Sequence, residues 1–109
     1  MMAEFAGTLR ERITLERPVD QRSAAGLREG GWAVFADCLA SVTLIGAGAE
    51  AEGMTLSAMA QYRVTLRVRE GVAVGQRVRW KGGILMIRQV LLEPRWPDRI
   101  MLKCEEVRS

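Results

Sequence analysis

The chain has 109 residues, 49% hydrophobic and 27% charged, which is the size and composition of one ordinary globular domain and argues against disorder or a second domain. Sixteen basic and thirteen acidic groups leave +3 at pH 7, and there is no histidine; the commonest general base, and the usual partner of a nucleophilic serine or cysteine, is therefore missing. Cys38 and Cys104 stand 66 positions apart, too few and too distant for a disulfide framework and two ligands short of a zinc site, so free thiols, cytosolic manufacture and neither metal nor cofactor are expected.

The first periodic segment is Thr8–Arg17, where Leu9, Ile13 and Leu15 share one parity and Arg10, Arg12, Thr14 and Glu16 the other, the pattern of a half-buried strand. Pro18 lacks an amide donor and is expected to end it. Pro18–Gly31 then reads as a long polar connection, beyond the usual hairpin length and for that reason a candidate functional loop. Trp32–Ile45 is the second strand, with Trp32, Val34, Ala36, Cys38, Ala40, Val42 and Leu44 on one parity. Phe35, Leu39 and Ile45 break its polar face, which predicts a bulge or partial cover on both sides.

Gly46–Ala60 is rich in Ala, Met and Glu and reads as a short, weak helix or a mobile loop, since Gly53 costs a helix interior about 1 kcal/mol. Gln61–Arg69 alternates without exception, Tyr62, Val64, Leu66 and Val68 against Arg63, Thr65, Arg67 and Arg69. Arg77, Arg79 and Lys81 alternate with Val78 and Trp80 in a fourth strand. Gly82-Gly83 signals a tight hairpin into a mostly apolar strand, Ile84–Leu92. Glu93–Asp98 is a turn, and Ile100, Leu102 and Cys104 alternate with Met101, Lys103 and Glu105 in the last strand. The expected fold is mainly β: one domain over 1–109, a small six-stranded antiparallel barrel or sandwich with one short helix and long loops.

Catalytic signals are absent. Glu50 and Glu52 would point apart on a helix, Glu105 and Glu106 sit at the C-terminal edge, and Gly46-Ala47-Gly48 lacks the remaining elements of a nucleotide-binding loop. No stretch approaches the roughly 18 apolar residues of a membrane span, and MMAEFAGTLRER lacks the order of a signal peptide. Charge is the informative feature. Residues 1–59 carry a net −3 and residues 60–109 a net +6, and 14 of the 16 basic groups are arginine. Such asymmetry suits nucleic acid or a head-to-tail contact between copies. Arg63, Arg67, Arg69, Arg77, Arg79 and Lys81 fall on the polar parity of two strands expected to be hairpin neighbours, where like charges repel unless a polyanion or acidic partner answers them. They are the candidate subunit-contact or channel-lining residues. An OB-like single-stranded nucleic-acid module is the alternative, although Tyr62 and Trp80 lie on the apolar parity and read as core. Cys38 and Cys104 also read as core.

The ordered set of signals resembles the phage head–tail joining proteins, also called head-closure or stopper proteins. It comprises Leu9–Pro18, a polar loop ending at Gly30-Gly31 before Trp32, Phe35-Ala36-Asp37, Ala40-Ser41-Val42, Tyr62–Arg67, Arg77-Val78-Arg79-Trp80 with Gly82-Gly83, and Leu102–Glu106. Its Arg- and Ala-rich usage is similar to versions in bacterial gene transfer agents. The resemblance implies a non-enzymatic β-barrel protomer, assembled in the bacterial cytoplasm into a six- or twelvefold ring of the virion neck. That ring would sit beneath the portal and adaptor, close the DNA-filled capsid, let double-stranded DNA pass without sequence recognition, and offer a platform to tail proteins. A tail-completion protein of similar build, differing only in where it sits, is the other alternative reading. Assembly and gating would fall to the two long loops, with Asp20, Arg22, Arg28, Glu29, Glu50, Glu52, Met54, Leu56 and Met59 as candidates.

Overall fold

The computed structural model describes residues 5–22, 28–46 and 59–107, with side chains left undefined at Ala6, 20–22 and 28–30. A four-residue helical turn, α1 (Phe5–Thr8), precedes six strands: β1 (Glu11–Arg22), β2 (Arg28–Gly46), β3 (Gln61–Arg67), β4 (Arg77–Trp80), β5 (Gly83–Leu91) and β6 (Arg99–Val107). They close, all antiparallel, in the order β1-β2-β3-β6-β5-β4. The expected helix in Gly46–Ala60 falls almost entirely outside the described residues.

The inward parity of every strand supplies the core: Ile13 and Leu15, Ala40, Val64 and Leu66, Val78, Leu85 and Ile87, and Ile100, Leu102 and Cys104. A six-stranded barrel is narrow enough for these side chains to fill it. Tyr62 and Trp80, from strands on opposite sides, meet edge to face with ring centroids 5.3 Å apart, and both pack on the core. The connection from β3 to β4 has to pass from one side of the barrel to the other, and on the way it packs Val72 against the core. Gln76 fastens this connection by accepting from the Ala73 amide and donating to the Gly71 carbonyl.

Three departures from simple alternation have local causes. The β1–β2 register shifts between Leu15 and Glu16, leaving Phe35 as the extra residue on β2. A second shift, against β3, leaves Ile45 extra. These are two of the three apolar residues that interrupted the polar face, so the expected bulge is present twice. The first bulge also reverses the parity upstream of it: Trp32 and Val34, expected inside, are exposed at 37% and 57%. A third shift in β5 leaves Arg88 unpaired.

The β4–β5 hairpin forms as expected, but its turn residues are Lys81-Gly82, since Trp80 pairs with Gly83. Both have positive φ, 51° and 79°, the combination a two-residue turn needs to match strand twist.

The loop expected over Pro18–Gly31 is a correction. β1 continues through Pro18 to Arg22 and pairs with β2 from Arg28, with Pro18 opposite Trp32 and Arg22 opposite Arg28. Proline stops a strand only where its missing donor is needed. β4 pairs with β1 no further than Glu16, so from Arg17 onward β1 is an edge strand, which tolerates proline. The β1–β2 ribbon therefore leaves the barrel as an arm.

Candidate assembly surfaces

The six basic residues singled out on β3 and β4 do not form one face. In the closed order, β3 lies between β2 and β6 while β4 lies between β5 and β1, so the expectation that they are hairpin neighbours is wrong. The β3–β4 connection crosses the barrel instead of turning back.

The β4 cations are answered within the protomer. Glu16 is 5% exposed; its Oε1 accepts from Arg77 Nε, and its Oε2 lies 3.8 Å from Arg79 Nη1. Trp80 Nε1 donates to Glu11 Oε1 at 3.0 Å, and Lys81 Nζ lies 3.8 Å from the same oxygen. These carboxylates on β1 reach β4 because the barrel closes between those two strands. The acidic first half and basic second half of the sequence thus neutralise each other here inside one chain, and no outside polyanion is required at β4.

The root of the arm is built on the same group. Arg77 carries its guanidinium 4.2 Å from the Trp32 ring centroid, and Arg17 places its own 4.6 Å from the Phe35 ring. Cation–π contacts of this kind contribute about 0.5–1 kcal/mol at exposed sites.

The β3 cations are different. Arg63 stands opposite Lys103 and Arg67 opposite Arg99 on the β3–β6 ladder. Among the described residues, Arg99 pairs with Asp98 at 3.0 Å, holding that carboxyl below its usual range chiefly through the hydrogen bond. No carboxylate among them lies within 4 Å of Arg63, Arg67, Arg69 or Lys103. Like-charged cross-strand pairs are destabilising on an isolated sheet, and Arg67 is answered only in part, by the longer-range pull of Asp98 and the Phe5 ring 6.0 Å from its guanidinium, so this stripe is the least neutralised electrostatic feature among the described residues.

Met59 is half-buried beside the start of β3. Glu50, Glu52, Met54 and Leu56 lie outside the described residues. Asp20, Arg22, Arg28 and Glu29 belong to the paired backbone of the arm, not to a loop. Cys104 is buried and its thiol is pushed up to about 12 by desolvation. Cys38 is half-buried, raised by burial against the opposing pull of Arg69. Neither thiol is activated. Tyr62 and Trp80 are packed on the core, which withdraws the stacking platforms that the OB-like alternative needs. Sequence reasoning missed Glu11 and Glu16; their signal was two acids on an otherwise basic strand, Glu11 on the apolar parity with Ile13 and Leu15 and Glu16 on the polar one.

The profile of the phage head completion proteins matches residues 6–107, and the chain belongs to that family. Membership makes it a structural virion protein of head–tail joining type. Two solved structures share the fold. The solution structure of protein SF1141 from Shigella flexneri 2a is 22% identical with a TM-score of 0.73, covering 94% of this chain and 96% of its own. A chain from the virion of a native gene transfer agent particle is 24% identical with a TM-score of 0.69, covering 93% and 97%. No curated protein sequence matches.

Proposed function

We propose that the protein is a non-enzymatic ring subunit of the virion neck, seated between the portal with its adaptor and the tail, where it closes the DNA-filled head. Family membership over residues 6–107 carries this reading. The geometry supports it in two ways. The barrel of a single chain is filled by its own side chains, so a channel for DNA has to be formed between copies, as a ring provides. The arm, drawn from strands of 12 and 19 residues, is too marginal a structure to be maintained alone and is suited to a neighbouring copy. Such a contact is heterologous, one patch against a different one, and closes into a ring when the rotation permits. In this reading Arg63, Arg67 and Arg69 face a partner or the lumen. Arg77, Arg79 and Lys81 serve the protomer's own fold first.

The test is assembly in solution. The purified protein mixed with its portal and adaptor, imaged in negative stain and followed by light scattering, is expected to form rings on the portal complex. A protein that stays monomeric and never joins that complex refutes the proposal.

A further inference from the structure

β2 and β3 pair only from Ala40 opposite Leu66 to Gly46 opposite Gln61. Upstream of Ala40, β2 has β1 on one side and, among the described residues, no strand on the other. Downstream of Leu66, the chain stays alongside β6, with Arg67 opposite Arg99 and the Val68 amide donating to the Asp98 carbonyl at 3.0 Å. The two segments part and leave a cleft of about 490 Å³ lined by Leu9, Cys38, Leu39, Leu66, Val68 and the pair Arg67 and Arg69.

Three features of this cleft are complementary to one kind of occupant. One wall is a strand edge that no described strand pairs with, and it offers backbone donors and acceptors at the spacing of a sheet. The lining between the walls is aliphatic, with Leu39 at 47% and Val68 at 52% exposure. The opposite wall carries two arginines that have no carboxylate within 4 Å among the described residues. Arg69 lines the cleft together with Cys38 and is close enough to pull the Cys38 thiol down against its burial, so its positive charge faces the β2 wall.

We propose that this cleft is a strand-accepting site for an extended segment of a neighbouring polypeptide, one that alternates aliphatic and acidic side chains. The segment adds to the open edge of β2, places its aliphatic side chains over Leu39 and Val68, and presents carboxylates to Arg67 and Arg69. Main-chain pairing supplies affinity and the alternate side chains supply selectivity, as in other strand additions. The virion-neck reading enters only as the source of the neighbour.

The test uses the free protein, isotope-labelled, titrated by NMR with a short capped peptide alternating valine and aspartate. Controls are the same peptide with lysine for aspartate, the acidic peptide N-methylated along its backbone, and an oligothymidylate. The acidic peptide is expected to shift the amides of Cys38, Leu39, Val68 and Arg69 and to bind at least about tenfold tighter than the lysine peptide, with N-methylation abolishing the shifts. The double variant Arg67→Ala/Arg69→Ala, whose replaced side chains stand on the surface, is expected to weaken binding about tenfold while leaving the remaining spectrum in place. Shifts elsewhere, no shifts, equal binding of the lysine peptide, or preferential binding of the oligothymidylate at these amides each overturn the proposal. Ring formation plays no part in the titration, so its failure leaves the neck reading to stand or fall by imaging.

Discussion

Arg77 holds two elements at once: its guanidinium lies 4.2 Å from the Trp32 ring centroid on the arm, while its Nε donates to the buried Glu16 carboxylate in the barrel wall. The direction in which the arm leaves the barrel is thereby tied to a charge pair that the barrel itself requires. Trp32→Ala removes the contact without touching the core. The expected result is a global stability change of no more than about 1 kcal/mol, accompanied by faster proteolytic nicking within residues 18–31. Unchanged cleavage would mean that Trp32 does not restrain the arm.

Glu16 is the more severe position. Glu16→Gln leaves Arg77, whose side chain is only 18% exposed, without its counter-charge, and breaking a buried pair from one side costs about 3 kcal/mol or more. Arg79→Gln, at 3.8 Å and with its side chain 52% exposed, should cost at most about 0.5 kcal/mol. Urea midpoints at unchanged m-value measure both. Equal losses would show that the pairing is a surface effect.

The inside–outside assignment of β3 has a direct test. Val64 is fully buried, and Val64→Asp puts an unpaired carboxylate into the core, which should unfold the protomer. Arg63 faces outward beside Lys103, and Arg63→Asp should fold with an unchanged circular dichroism spectrum while assembly with neck partners is impaired. Equal loss of structure in both contradicts the assignment.

Cys104 makes the fold sensitive to alkali. Its thiol is raised from 9.0 to about 12 by burial, so above pH 9 the unfolded chain loses a proton that the folded chain keeps, and unfolding gains. This contribution is fully present below pH 9 and is lost between pH 9 and about 12, with a loss on the order of 1 kcal/mol by pH 10. Comparison of urea midpoints for the natural chain and Cys104→Ala at pH 8 and pH 10 isolates it. Parallel changes in the two would contradict the assignment.

Much of the fold was legible because it is written in local alternation. The unbroken pattern of β3 and the apolar intrusions at Phe35 and Ile45 give strand, parity and bulges directly from neighbouring residues. Pro18 misled because its effect depends on whether a third strand needs its donor, and that is decided by where β4 docks. Trp32 and Val34 misled because a single extra residue at Phe35 inverts every side chain before it. The placement of β3 and β4 on opposite sides depends on barrel closure between β1 and β4, a non-local event with no signal in either strand. For the same reason the partners of Arg77, Arg79 and Lys81 were invisible, and their charges read as an appeal to an outside polyanion. The family likeness was legible, since it rests on the order of motifs and not on pairings.

The central claim, a ring subunit of the neck, is tested most directly by a cryo-electron microscopy reconstruction of the virion neck. The account predicts a closed ring of copies of this β-barrel between the portal complex and the tail, with each arm resting on the adjacent copy. A neck reconstruction in which this barrel is absent, or occurs as isolated single copies, would contradict it.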